Sequence, residues 1–75
     1  MIQGYIYEND RGGLLTNGMF WFPHDVLEDG YVHQIDIEKM RSLSTNWASK
    51  PIRCHKAIYN PETDHTEIIV QNIPM

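Results

Sequence analysis

Apolar and polar positions alternate near the start of the chain in a way that predicts β-strands. In the segment IQGYIY, Ile2 and Ile6 fall on one side and Tyr5 and Tyr7 on the other, which is the two-residue period of a strand. Clusters of turn formers separate the short apolar runs that follow, so we expect a meander of three strands. These strands are predicted at residues 2–7, 14–16 and 19–22.

The turn signals between these strands indicate where the hairpins close. The segment NDRGG at residues 9–13 is dense in turn formers. Asn17-Gly18 between apolar residues is the strongest short hairpin signal, and Pro23 ends the third strand because it cannot donate to a ladder. We therefore expect a two-residue turn at Asn17-Gly18, with Met19 already in the third strand.

A helical period appears in the middle of the chain. Asp36 is a suitable N-cap, and Met40, Leu43 and Trp47 fall at spacings of three and four, which makes one apolar stripe. The helix is expected to be short, because serine, threonine and asparagine residues around Leu43 disfavour helical structure. Residues 31–35 are ambiguous, and their pairing with the sheet is left open.

The last part of the chain predicts a hairpin, with the strand PIRCHKAIYN at residues 51–60 and the strand HTEIIVQNI at residues 65–73. Five strands with one short helix between the third and the fourth predict a mainly β fold. We expect a small five-stranded OB-like barrel that occupies residues 1–75 as a single domain. An open sheet of four or five strands, with the helix packed on one side, is the alternative.

The opening segment GYIYENDRGGLLTNGMFWFPHDVL resembles a cold-shock domain. Gly4 leads the first strand, RGGLLT at residues 11–16 occupies the place of the first ribonucleoprotein-like motif, and MFWF occupies the place of the second. The terminal hairpin is similar to the last two strands of the family, so the resemblance spans residues 2–29 and 51–73. The first motif departs from the family by lacking its two aromatic residues. The resemblance implies an OB barrel that binds single-stranded nucleic acid.

The same resemblance implies that alternate residues of MFWF face outward. Met19 and Trp21 then lie inside the barrel, whereas Phe20 and Phe22 lie outside, beside the tyrosines of the first strand. We expect this aromatic platform to bind single-stranded RNA or DNA by stacking, with basic and histidine side chains around it. The candidate binding residues are Tyr5, Tyr7, Arg11, Phe20, Phe22, His24, Arg53 and Lys56.

Two other interpretations of this surface stay open. In the first, the stripe of Met40, Leu43 and Trp47 needs a surface to bury against and covers the outward rings. In the second, the rings bind a larger protein, because aromatic, Met and Arg side chains also mark the centres of protein interfaces. The chain is then a small regulatory adaptor or inhibitor in a bacterial or phage setting.

Composition and charge exclude several classes of function. The net charge of −4, from six basic and ten acidic residues, argues against a strong binder of duplex phosphates. The four histidines and Cys54 lack the spacing of a zinc site, and no nucleophile or phosphate-binding motif occurs. We therefore expect no metal, no cofactor and no enzymatic activity. The single cysteine, together with the lack of a membrane-helix or signal-peptide pattern, predicts a cytoplasmic protein without membrane association.

Overall fold

The structure is a computed structural model that describes residues 1–23 and 31–75. Within these ranges the chain forms five strands and one α-helix. The predicted mainly β class, with a single short helix between the third and fourth strands, is confirmed. The elements are β1 (Ile2–Glu8), β2 (Leu14–Leu15), β3 (Trp21–Phe22), α1 (Ile37–Leu43), β4 (Arg53–Asn60) and β5 (His65–Pro74).

All five strands belong to one antiparallel sheet with the order β3-β2-β1-β4-β5. β1 is the central strand, and it pairs with β4 along its whole length, whereas it meets β2 only at Glu8 and Leu14. β3 and β5 are the two edges, so the sheet is open and the expected closure into a barrel is corrected. β2 and β3 share only two ladder pairs, which is too short a ribbon to curve round to β5. The small β-rich fold is still compatible with an OB-like domain.

The loop between β2 and β3 is longer than predicted. The Thr16 N–H donates to the Phe20 carbonyl at 2.9 Å, so Asn17, Gly18 and Met19 form a three-residue loop. Met19 has a φ of 65°, the left-handed conformation that ends loops of this kind. The predicted two-residue turn at Asn17-Gly18 is therefore wrong, because Met19 belongs to the loop and the strand starts later.

The helix α1 begins after Asp36, as predicted. The Asp36 carboxylate accepts a hydrogen bond from the Lys39 N–H at 2.8 Å, which is the expected N-cap geometry. Met40 is fully buried, but Leu43 is exposed at the last position of the helix. The stripe that packs on the sheet therefore combines Met40 with Trp47, which lies beyond the helix, and leaves Leu43 out.

Apolar side chains form one buried cluster on each side of the sheet, so both faces of its central strands are covered. The cluster beneath α1, called here the helix-side cluster, contains Tyr7, Leu15, Met40 and Cys54. Partly buried residues, among them Trp21 and Trp47, pack around it. The cluster on the other side contains Ile6, Leu14, Tyr31, Val32, Ala57 and Tyr59.

The segment before α1 fills the space beside β1 that the short strand β2 leaves free. Tyr5 and His33 exchange backbone hydrogen bonds of 2.7 and 2.8 Å, so a single bridge answers the open question about residues 31–35. A Cβ atom at Gly4 would lie only 2.2 Å from the His33 carbonyl oxygen, and glycine permits this close approach. The His33 ring is fixed as well, because its Nε2 lies 2.9 Å from the Leu15 carbonyl oxygen.

The strand β5 is irregular. Its pairing with β4 shifts register on either side of Lys56, which is the mark of a β-bulge. Asn72 has a φ of 55°, a conformation that asparagine tolerates better than most residues. The pairing of the last residues of β5 with β4 is therefore out of register with that of its first residues.

Candidate nucleic-acid interface

Tyr7 belongs to the core and not to an exposed surface. Its side chain is fully buried, and its hydroxyl donates to the Ile35 carbonyl at 2.5 Å. Burial, with smaller contributions from the neighbouring Cys54, Tyr5 and Asp36, raises the pKa of Tyr7 well above its ordinary value. Tyr5 is half-buried, with its ring centroid 6.1 Å from that of Tyr7. The Tyr7 ring is therefore closed off from any nucleobase.

The two phenylalanines are exposed, but they are not next to the tyrosines. Phe20 is 69% exposed and Phe22 is 48% exposed. Phe22 pairs with Leu14 in the sheet, so its side chain lies on the side opposite to Tyr7. Trp21 points the other way and packs against the helix-side cluster. The predicted wall of four adjacent rings is wrong, because the register separates the tyrosines from the phenylalanines.

The helix covers the tyrosine side of the sheet and does not cover the phenylalanines. Met40 packs with Tyr7 in the helix-side cluster, while Phe20 and Phe22 stay exposed within the described part of the chain. The alternative in which the helical stripe buries all the outward rings therefore fails for the hairpin. Among the described residues, the most exposed aromatic side chains are Phe20 and Phe22 of the β2–β3 hairpin.

Arg53 forms an ion pair with Glu8 of the adjacent strand. Its Nε donates to Glu8 Oε2 at 2.8 Å, and its Nη2 contacts the same oxygen. His55 Nδ1 accepts from the Asn72 N–H at 3.1 Å, so its Nε2 carries the proton that Glu8 Oε1 accepts at 2.9 Å. Burial acts to raise the pKa of Glu8, but hydrogen bonds from His55 and Arg53 outweigh it and lower the pKa. Arg53 thus neutralises an internal carboxylate, which leaves it poorly placed to bind phosphate.

The other predicted basic residues lie in separate places. Lys56 is exposed and lies directly across from Tyr5 in the β1–β4 pairing. Arg11 is exposed in the turn between β1 and β2, where its backbone N–H donates to Asn9 Oδ1 at 3.0 Å. The predicted residue His24 lies outside the described residues. Of the predicted cations, Arg11 and Lys56 are the ones that solvent reaches freely.

A cleft beside the hairpin was missed by the sequence analysis. It consists of two hollows that share Ala48 and Ser49, and we call it the hairpin cleft. The first hollow, of about 300 Å³, is lined by Met19, Trp21, Trp47, Ala48 and Ser49. The second, of about 430 Å³, is lined by Asp10, Arg11, Ala48, Ser49, Lys50 and Ile52. The two tryptophans in the sequence could have indicated part of the cleft lining, because such large side chains are rarely buried completely and tend to keep some exposed surface.

The side chains that could ligate a metal do not cluster within the described residues, and the single cysteine is buried. Within residues 1–23 and 31–75, no group of three or more histidine, cysteine, aspartate or glutamate side chains could hold a metal ion. Burial raises the pKa of the Cys54 thiol, against the opposing influence of Arg41, so the reactive thiolate is disfavoured. In the same ranges, no helix has the length and apolar character needed to cross a membrane.

Comparison with known proteins gives no match: no family model, no curated protein and no solved structure is similar to this chain. The cold-shock resemblance therefore stays a prediction. A function for the hairpin and its cleft has to be argued from their own geometry.

Proposed function

We propose that this chain is a small, non-enzymatic binding module that binds single-stranded RNA or DNA through the β2–β3 hairpin. The observation that supports this proposal is the exposure of Met19, Phe20 and Phe22 within four residues of one another. Clustered apolar surface on a small chain is a common mark of a binding site. Exposed aromatic rings stack on nucleobases, and each stacked base contributes about 1–3 kcal/mol.

Stacking explains how an acidic chain could bind a polyanion. The net charge of −4 opposes long-range attraction to phosphates, so duplex DNA is a poor ligand. Single strands expose the faces of their bases, and stacking on them does not depend on the overall charge. Arg11, in the turn next to the hairpin, supplies positive charge locally.

A larger protein is the second candidate partner, and a separate observation favours it. Ile69 and Val70 are 50% and 44% exposed on β5, which forms the other edge of the sheet. Edge strands offer unpaired backbone groups to which a partner can add a strand. In that case the chain acts as a regulatory adaptor or inhibitor.

Fluorescence anisotropy with labelled oligonucleotides tests the first proposal. Single-stranded RNA and DNA of about 12 nucleotides, a length within the range of OB-type sites, are compared with a duplex of the same sequence. The double variant Phe20→Ala/Phe22→Ala should raise Kd by about 25-fold or more, because each lost stacking contact weakens binding about fivefold or more. The double variant Ile69→Ala/Val70→Ala is the matched control, since it trims similarly exposed apolar side chains on the opposite edge.

Two results would contradict binding through the hairpin. One is equal affinity for the duplex and the single strand, and the other is a Phe20→Ala/Phe22→Ala variant that binds like the wild type. If the wild-type chain binds no oligonucleotide even at high micromolar concentration, nucleic acid is rejected and the protein partner becomes the leading candidate.

A further inference from the structure

The hairpin cleft has an aromatic half and a cationic half. Trp21 and Trp47 line the first half, Arg11 and Lys50 line the second, and the halves join at Ala48 and Ser49. Volumes of about 300 and 430 Å³ lie at the lower end of the range for small-molecule sites. The cleft therefore offers room for a ligand of modest size that is flat at one end and anionic at the other.

Hydrogen bonds and packing hold the aromatic half in place. The Trp21 Nε1–H donates to the Ser49 carbonyl at 3.0 Å. Both Trp21 and Trp47 pack partly against the helix-side cluster, so each ring is anchored on one side and partly exposed on the other. Because the rings are positioned before a ligand arrives, binding does not have to order them.

Asn9 connects the two segments that carry the cations. Its buried Oδ1 accepts from the backbone N–H groups of Arg11 at 3.0 Å and Gly13 at 2.7 Å. Its Nδ2 donates to Ser49 Oγ at 3.3 Å, and Lys50 is the next residue along the chain. The turn that carries Arg11 is thereby tied to the segment that carries Lys50.

Among the described residues that line it, the cationic half has a net positive charge. Asp10 lines it together with Arg11 and Lys50, so two cations face one carboxylate. Within the described ranges, the ion pairs join Glu8 to Arg53 and His55, and neither Arg11 nor Lys50 takes part in one. Their charges are therefore available to an anionic ligand, and guanidinium and ammonium groups both bind phosphate well.

We propose that the hairpin cleft binds one nucleotide of a single strand, with the base in the aromatic half and its phosphodiester in the cationic half. The inference rests on the proposed function and adds to it a nucleotide subsite on the side of β3 opposite to Phe22. β3 is an edge strand, so a strand stacked on Phe20 can pass across the hairpin to reach the cleft.

Intrinsic fluorescence tests this subsite directly, because the only two tryptophans of the chain both line the aromatic half. Titration with oligo-dT of about 6 nucleotides should quench the tryptophans in a saturable way. Arg11→Glu and Lys50→Glu should each weaken binding about fivefold at roughly 0.1 M salt. Each should also reduce the slope of log K against log salt, by up to about 0.7, because both cations face the same phosphate and one phosphate contact contributes about 0.7.

Two further variants separate the cleft from general effects. Lys39→Glu makes the same charge change on an exposed helical residue that does not line the cleft, so its salt slope should stay close to that of the wild type. Ala48→Glu fills the exposed junction of the two halves with an anionic side chain and should abolish the quenching, while its unfolding midpoint in urea stays near the wild-type value.

The results distinguish this inference from the proposed function. Suppose that oligonucleotides bind by anisotropy and that Phe20→Ala/Phe22→Ala abolishes binding. If titration then leaves the tryptophan fluorescence of the wild type unchanged, and Arg11→Glu and Lys50→Glu keep the wild-type salt slope, the subsite is rejected. The proposed function stands in that case. If the wild-type chain shows no binding by either readout, both are rejected.

Discussion

β1 and the β2–β3 hairpin both carry alternating aromatic residues, yet Tyr7 and the two phenylalanines lie in opposite environments. Tyr7 in β1 is fully buried, whereas Phe20 and Phe22 at the β3 hairpin face solvent. β1 lies in the middle of the sheet, between β2 and β4 and beneath α1, while β3 is a two-residue strand at the edge. The comparison teaches that the position of a strand and the cover over it decide which aromatic residues form the core.

The largest expected effect is at the centre of the sheet. Tyr7→Ala removes a fully buried aromatic ring and should lower the free energy of unfolding by about 3–5 kcal/mol. Tyr7→Phe keeps the ring but loses the hydrogen bond to the Ile35 carbonyl, and should cost about 1 kcal/mol. Urea unfolding followed by circular dichroism measures both. A loss below about 1 kcal/mol for Tyr7→Ala would show that Tyr7 is not a core residue.

An intermediate effect should come from the Glu8 network, which has no counterpart in β3. Glu8→Gln removes the charge that Arg53 and His55 contact, and should cost about 1–2 kcal/mol at neutral pH, because Arg53 is partly exposed to solvent. The pKa of Glu8 is lowered in the folded chain, so its stabilising contribution is present above the unfolded pKa. That contribution is lost as the pH falls through the folded pKa.

The pH dependence gives this second prediction its check. The difference in unfolding free energy between the wild type and Glu8→Gln should have its largest value at pH 7 and should decrease as the pH is lowered. Glu67→Gln, at an exposed residue of β5, is the control and should show little difference at either pH. A Glu8 difference that is independent of pH would mean that the charge of the carboxylate contributes nothing.

The smallest effect on stability is expected at the edge. Phe20→Ala should change the free energy of unfolding by no more than about 0.5 kcal/mol, because the ring is largely exposed. The same variant should weaken oligonucleotide binding. Phe20→Ala should therefore affect binding more than stability, whereas Tyr7→Ala should affect stability more. A stability loss of about 2 kcal/mol or more would show that Phe20 is covered in solution and would remove the contrast between the two strands.

Local sequence patterns were sufficient for most of the secondary structure. Strict alternation predicted β1 and the terminal hairpin, and Asp36 was recognised as the N-cap of a short helix. Each of these features depends on neighbours in the sequence, such as a side chain that bonds to a backbone group three residues away. The cold-shock resemblance placed Trp21 inside and Phe22 outside, which agrees with their burial. It also placed Met19 inside, which is wrong, because Met19 belongs to the loop and is 37% exposed.

The features that were missed depend on residues far apart in the chain. Nothing local to Tyr7 shows that Met40 will cover it, and nothing near Trp21 shows that Ser49 will accept its hydrogen bond. The three-residue loop was missed because Met19 adopts a left-handed conformation that non-glycine residues seldom take. The open sheet follows from the shortness of β2 and β3, which the apolar run over residues 19–22 concealed.

The bulge in β5 has a consequence for self-association. From Ile68 to Met75 the sequence carries no charged side chain, and an uncharged edge strand promotes fibril growth when it is long and flat. The β-bulge and the left-handed Asn72, whose N–H is bonded to His55, interrupt the regular pairing that such a flat template needs. We therefore expect the hydrogen bond between Asn72 and His55 to disfavour edge-to-edge polymerisation of the protein at high concentration.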